Sequence, residues 1–119
     1  MNNEEKIGSV KIADDVIATC AMSATTKTEG VSDLSAGITD TISKNILGKT
    51  SLSKGIKILQ EEQGITVDVH IVVEYGVKIP EVAWNVQENV KKEIESITGL
   101  KIKSVNIFVQ GVSFGKNAE

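Results

Sequence analysis

The sequence contains no arginine, the side chain best suited to forked contacts with phosphates and the edges of nucleic-acid bases. All 13 basic residues are lysines, and the formal net charge is -3. A chain with this balance has no general electrostatic attraction to nucleic acids or anionic lipids. We therefore expect no nucleic-acid partner.

Cysteine, proline, histidine and aromatic residues are scarce as well. The single Cys20 can form no internal disulfide, which is typical of a reducing compartment. The N-terminal residues show no signal-peptide pattern, and no apolar run approaches the roughly 20 residues that a helix needs to cross a bilayer. These absences predict a soluble cytoplasmic protein that does not insert into the membrane.

The 119 residues are enough for one domain with its own core, and aromatic residues are only 3% of them. The core must therefore consist mainly of Val, Ile, Leu and Ala. Residues 1–6 are polar, and we expect a disordered tail there. Residues 7–114 are expected to form the single domain, and residues 115–119 a frayed C-terminus.

Hydrophobic periodicity in the N-terminal half predicts a short strand and then a helix. Apolar residues over 7–12 indicate the strand. Asp14 and Asp15 begin a segment with helical spacing, where acids suit the first turn. Its apolar stripe consists of Val16, Ile17, Cys20, Ala21 and Ala24. Residues 31–54 are rich in Ser, Thr and Gly, and are interpreted as a loop that contains one short helix.

The second half begins with a predicted hairpin and ends with a strand. Residues 56–59 and 65–73 are joined by a short Gly-containing connection, and residues 65–73 alternate strictly between apolar and other side chains. Residues 105, 107 and 109 repeat this alternation in the last strand. The element order predicts an α+β fold: a small, mostly antiparallel sheet of about four strands with two main helices on one face.

A helix between these strands is predicted from Pro80, which suits a first turn, to Gly99, which suits a left-handed end. Its apolar stripe consists of Val82, Ala83, Val86, Val90, Ile94 and Ile97. Trp84, the only tryptophan, lies about 140° from the centre of this stripe. It shares that side of the helix with Gln87, Glu88 and Lys91, and these four residues are the candidate partner interface. The alternative is that Trp84 is covered, either by the stems of Lys91 and Glu88 or by residues 31–54.

The face of the sheet opposite the helices is expected to be mixed in polarity. Val72, Phe108 and His70 lie on it among polar residues, and they are the candidate self-association face. An ordinary solvated face of an antiparallel sheet is the simpler interpretation.

Candidate chemistry is sparse. His70 is the only histidine, and the chain has no cluster of His and Cys residues at metal-ligand spacing, so a metal or general-base role for His70 is the minor alternative. Cys20 lies in a helical apolar stripe, which favours an inert buried thiol. Gly48, Lys49 and Thr50 lack the upstream glycine of a phosphate-binding loop. We expect no catalytic residues, no metal and no cofactor.

Several short motifs in the second half, in this order, resemble the alkaline-shock (general-stress) protein family. They are Tyr75-Gly76, Val82-Ala83, Val86-Gln87, Thr98-Gly99-Leu100, Val105-Asn106 and Gly111-Val112. The N-terminal half is similar at Glu29-Gly30-Val31 and Lys54-Gly55-Ile56, so the resemblance covers nearly the whole chain.

The resemblance implies a small, non-enzymatic bacterial protein of the alkaline or cell-envelope stress response. Some members of the family are held at the cytoplasmic membrane by a separate membrane-anchored relative and self-assemble. The expected partners are therefore other proteins, including such a relative and further copies of this chain, and the expected location is the cytoplasm or the membrane periphery. The alternative function is that of a small regulatory subunit for an enzyme of lipid or fatty-acid synthesis.

Overall fold

The computed structural model describes residues 7–35, 51–53 and 55–115, with residues 51–53 described by their backbone alone. In these ranges the chain forms two helices and five strands. The helices are α1 (Asp14–Thr26) and α2 (Ile79–Thr98), and the strands are β1 (Val31–Leu34), β2 (Ser51–Ser53), β3 (Ile56–Glu61), β4 (Gly64–Glu74) and β5 (Ile102–Ser113). Among the described residues, no helix is both long enough and apolar enough to cross a membrane.

Strand β4 is the centre of the sheet. On one side it pairs antiparallel with β3 along most of its length and with β1 near its end, and β2 pairs with β3. On the other side it pairs with β5 in parallel, because α2 returns the chain across one face before β5 begins. Both helices pack on that face. The prediction of a mostly antiparallel α+β sheet is confirmed.

The alternation in β4 decides which face of the sheet is covered. Its five odd-numbered residues from Ile65 to Val73 are all at most 3% exposed, and the residues between them are half-buried. The predicted hairpin between β3 and β4 is present, with Glu61 paired to Gly64. Burial of these aliphatic side chains beneath the helices is the main favourable term for the fold.

Helix α2 has the predicted ends. Pro80 lies in its first turn, and Gly99 ends it in the left-handed conformation with φ of 76°. Four residues of the predicted stripe are buried, namely Val82, Val86, Val90 and Ile94. Ile97 is 61% exposed, so its assignment to the stripe was wrong. Helical periodicity predicts the side of α2 on which Ile97 lies, but it does not predict which residues surround that side chain. Ile97 is in the last turn of α2, where it lines a solvent-open hollow between the two helices.

Helix α1 packs close to the sheet and to α2 through small side chains. Ile17, Ala21 and Ala24 are buried as predicted, and so is Cys20. Val16 is 48% exposed, so its place in the stripe was wrong. Val16 lies in the first turn of α1, at the edge of the apolar stripe, where the described core does not reach it.

Two assignments in the N-terminal half change. The described structure has no strand over residues 7–12, and Ile7 and Val10 are 86% and 85% exposed. Strand β2 pairs with residues 56–58 at the outer edge of β3, and residues 7–12 pair with no described strand. Within residues 31–54, predicted as a loop with a short helix, residues 31–34 and 51–53 form strands β1 and β2. Residues 36–50 and 54 lie outside the described residues.

Candidate functional site

The two sides of α2 differ in what they contact. The inner flank, which we define as Asn89 and Glu93, faces α1. Asn89 Nδ2 donates a 2.9 Å hydrogen bond to the hydroxyl of Thr28, and Glu93 lies 3.9 Å from the ammonium of Lys27. This flank therefore joins the two helices.

The outer flank is the side of α2 that carries the predicted interface residues Trp84, Gln87, Glu88 and Lys91. Trp84 is 59% exposed, so the described residues leave most of it open to solvent, and Glu88 and Lys91 are exposed as well. Gln87 has a different environment: it is half-buried, and its Nε2 donates a 3.0 Å hydrogen bond to the carbonyl oxygen of Val105 in β5. The structure thus places three of the four residues at the surface, and the fourth ties α2 to β5.

Exposed apolar side chains concentrate around this flank. Of the 11 large apolar side chains that are exposed in the described residues, seven belong to the end of β4 and its turn, the start of α2, and β5 with the residue after it. They are Tyr75, Ile79, Trp84, Phe108, Val109, Val112 and Phe114. Phe108 projects from the opposite face of the sheet, so we give the name β5 patch to the other six residues.

Four residues of the β5 patch lie together where α2 begins. Ile79, Val112 and Tyr75 line one shallow hollow together with Val73 and Val77. The rings of Tyr75 and Phe114 stack with centroids 4.9 Å apart. An apolar surface of this kind, continuous from the helix to an edge strand, is typical of a site for protein contact.

The open face of the sheet brings the predicted self-association residues together. His70 pairs with Phe108 in the β4–β5 register, and their rings stack with centroids 4.7 Å apart. Val72 follows on the same face, is half-buried and lies beside Gly111. His70 Nδ1 is 3.0 Å from the carbonyl oxygen of Gly55, and a carbonyl can only accept, so Nδ1 carries the proton.

The described residues give little support to metal chemistry at His70. They contain no group of three His, Cys, Asp or Glu side chains placed to hold a metal ion. Asp68, an acidic residue on the same face, accepts a 2.9 Å hydrogen bond from the amide of Asn106. His70 Nδ1 is already engaged with the backbone. The residues Gly48, Lys49 and Thr50, which were weighed as a phosphate loop, lie outside the described residues.

Cys20 lies on the side of α1 that faces α2, and it is 7% exposed. Burial raises the pKa of its thiol above the ordinary value of 9.0, and the nearby carboxylate of Glu93 raises this pKa further. The thiol therefore stays protonated and unreactive at neutral pH, because the thiolate is the nucleophilic form.

The sequence reasoning missed most of the β5 patch. It identified Trp84, but it did not include Tyr75, Ile79, Val109, Val112 or Phe114. One signal was present: residues 104–115 contain no charged side chain. Strands at the edge of a sheet commonly carry charges that prevent pairing with other chains, so a long uncharged last strand marks a site of contact.

Comparison with known proteins identifies the family. The model for the alkaline shock protein 23 family, described as having a cell envelope-related function, matches residues 2–114. The uncharacterized protein YqhY of Bacillus subtilis (strain 168) is 35% identical over 120 residues, which are 100% of this chain and 88% of that protein. YloU of the same organism is 40% identical over 109 residues, which are 90% of each chain.

A third relative is the uncharacterized protein Spy1614 of Streptococcus pyogenes serotype M6 (strain ATCC BAA-946 / MGAS10394), 39% identical over 109 residues, which are 90% of this chain and 89% of that protein. No solved structure matches. Because the family model spans almost the whole chain and the relatives match over most of their own length, the chain belongs to the alkaline shock protein 23 family.

Proposed function

We propose that this chain is a non-enzymatic protein of the bacterial cell-envelope stress response that acts by binding other proteins. The observation that carries the proposal is the β5 patch, where six of the 11 exposed large apolar side chains of the described residues are grouped. The cell envelope-related function of the family supports the envelope part of the proposal.

In this proposal the outer flank of α2 is the contact site, and Trp84 is its anchor. Tryptophan is enriched among the residues that dominate binding energy at interfaces, because it provides a large rigid apolar area with one polar atom. Ile79 and Val112 add exposed apolar area where α2 begins, while Glu88 and Lys91, on the same side of α2 as Trp84, supply a polar rim. This is the usual anatomy of a protein interface.

The proposed partners are a membrane-anchored relative and other copies of this chain, which places the protein in the cytoplasm at the membrane periphery. The alternative function, a regulatory subunit for an enzyme of lipid or fatty-acid synthesis, calls for a pocket between residues 31–54 and the sheet. Most of that segment lies outside the described residues, and no observation favours this alternative.

The test is an affinity capture from the native cell after envelope stress, with the membrane fraction solubilised, comparing wild type with Trp84→Ala. We expect the variant to lose the envelope proteins that wild type retains. Ile97→Ala is the matched control, because Ile97 is 61% exposed on the same helix but lies away from the β5 patch. An identical set of captured proteins for wild type and Trp84→Ala would refute the interface.

A further inference from the structure

Strand β5 has one edge that is not paired with any described strand. Its other edge pairs with β4 from Ile65 to Glu74. The carbonyl oxygens of Lys101 and Ser113, at the two ends of β5, accept hydrogen bonds from the N–H groups of Ile65 and Tyr75, so both residues direct these groups toward β4.

The backbone groups of Val105, Ile107 and Val109 point the other way. In a strand, alternate residues direct their backbone N–H and C=O groups to opposite neighbours. In the register between β4 and β5, which shifts near Lys103, residues 104, 106 and 108 direct these groups toward β4. The hydrogen bond from Gln87 to the carbonyl oxygen of Val105 occupies the first position of this outer edge. The groups of Ile107 and Val109 have no partner among the described residues. Such an edge is a template for another strand.

A second segment of the chain has the complementary property. Residues 7–12, Ile-Gly-Ser-Val-Lys-Ile, include β-branched residues that favour strands, yet in the described structure they form none. Ile7 and Val10 are 86% and 85% exposed. Among the described residues, the attachment of the segment is at its end, where Gln60 donates hydrogen bonds to the carbonyl oxygen of Ile12 and to the carboxylate of the following Asp14.

The charges around the two segments are opposite. Residues 1–15 contain four acidic residues and two lysines, whereas residues 101–116 contain three lysines and no acidic residue. Lys101 and Lys103 precede the edge, and Lys116 follows it. If two β5 strands paired antiparallel with each other, these lysines would approach one another. Pairing of β5 with residues 7–12 brings acidic residues to the lysines instead.

We propose that residues 7–12 of one copy of this chain pair with the outer edge of β5 in a second copy, as an added strand beside the outer flank of α2. This inference rests on the proposed function, since it names a second copy as one partner of that surface. Main-chain hydrogen bonds to Ile107 and Val109 supply the affinity, as in other cases of strand addition.

This contact joins two different surfaces, so each copy retains one free segment and one free edge. Heterologous contacts of this kind continue from copy to copy and form open chains unless the rotation between copies closes a ring. The predicted assembly therefore grows with concentration, in contrast to a two-fold dimer, which stops at two copies.

Two variants separate the two surfaces. Val10→Pro removes an N–H from the segment at an exposed position outside helices and strands. Val109→Pro removes an outward N–H from β5 and leaves the bonds to β4 intact, because proline is tolerated where an edge strand faces away from its neighbour. Val16→Ala is the control, since Val16 is an exposed valine outside both surfaces. Circular dichroism and urea unfolding confirm that each variant is folded.

Sedimentation velocity over micromolar to millimolar concentrations tests the inference. We expect wild type and Val16→Ala to form species of increasing size, and Val10→Pro and Val109→Pro to remain monomeric when each is alone. An equimolar mixture of the two proline variants should form a heterodimer, because one variant retains the edge and the other retains the segment. If Val109→Pro is unfolded, Val109→Lys takes its place and blocks the edge with a charge.

Three results would overturn the inference: a wild type that stays monomeric, a two-copy assembly that is unaffected by Val10→Pro, or a mixture of the two variants that stays monomeric. The second result would indicate direct pairing of two β5 strands. These outcomes are independent of the capture experiment, because a chain that self-assembles in this way can still fail to retain envelope proteins, and the reverse also holds.

Discussion

The two flanks of α2 carry similar residue types but differ in what those residues contact. On the inner flank, Asn89 and Glu93 are engaged with Thr28 and Lys27 of the α1 region. On the outer flank, Gln87 is hydrogen-bonded to β5, and Trp84 on the same side of the helix is 59% exposed. The residues of the inner flank are therefore engaged within the fold, while the outer flank presents an apolar side chain, Trp84, that the described residues leave mostly exposed.

The largest effect on stability is expected from the buried stripe of α2, which lies between the two flanks. Ile94 is 0% exposed, so Ile94→Ala removes buried aliphatic atoms and leaves a cavity. We expect the free energy of unfolding to fall by about 2–5 kcal/mol. Ile97→Ala, the same change one turn later at a 61% exposed position, should alter it by less than about 0.5 kcal/mol. Urea denaturation of both variants measures the difference, and comparable losses would show that the stripe extends to Ile97.

The second prediction compares the free energy of unfolding that is lost when one hydrogen bond is removed from each flank. Asn89→Ala removes the hydrogen bond to the hydroxyl of Thr28, which is 5% exposed, and we expect a loss of about 1 kcal/mol. The better helix propensity of alanine offsets part of this loss. Gln87→Ala frees a carbonyl at the outer edge of β5, where water replaces the donor, so we expect a loss below about 0.5 kcal/mol. A larger loss from Gln87→Ala would make the outer flank a structural element instead of a binding surface.

The local periodicities of the sequence predict the centre of this fold and not its periphery. The alternation in β4 and the stripe Val82, Val86, Val90 and Ile94 follow from side-chain periods of two and 3.6 residues, which are properties of neighbouring residues. The parallel pairing of β5 with β4 is consistent with α2 being the crossover connection between the two strands. Hydrophobic periodicity alone does not predict this pairing.

The errors have a common physical cause. The exposure of Val16 and Ile97, and the missing strand at residues 7–12, depend on where neighbouring elements end. Periodicity gives the direction in which a side chain points, but it does not say whether another element lies there. The β5 patch follows the same rule, since it exists only because no described strand pairs with the outer edge of β5.

A smaller effect on stability is expected when the pH is raised, because of the buried thiol of Cys20 in α1. The pKa of this thiol is raised above 9.0 by burial and then by Glu93, so the folded state retains the proton to a higher pH than the unfolded state does. The stabilising contribution is complete below pH 9.0 and decreases as the pH rises toward the raised value, because the unfolded state then binds fewer protons.

Urea denaturation at about pH 8 and about pH 10 should therefore show a loss of stability that is larger for wild type than for Cys20→Ala. The comparison between the two proteins removes every contribution to the pH dependence that wild type and the variant share. Glu93→Gln should reduce the loss in part, because it removes the secondary cause of the raised pKa. Equal losses in wild type and Cys20→Ala would show that the thiol is not responsible.

The smallest effect on stability is expected at Trp84. Because the indole is 59% exposed, Trp84→Ala should change the free energy of unfolding by less than about 0.5 kcal/mol, whereas truncation of a buried tryptophan costs about 3–5 kcal/mol. The same indole is the only tryptophan of the chain, so it reports on its own environment. Its fluorescence in dilute wild type should be that of a hydrated indole, and it should shift to shorter wavelength when a partner covers the outer flank.

Val10→Pro provides the control for that shift. If the added strand lies beside Trp84, the shift with rising protein concentration should be present in wild type and in Val16→Ala but absent in Val10→Pro. A substantial loss of stability in Trp84→Ala would mean that the indole packs within the chain, and the two flanks would then have the same structural role. A stable Trp84→Ala protein together with a concentration-dependent shift in wild type would instead assign the outer flank to binding, because only an intermolecular contact depends on concentration.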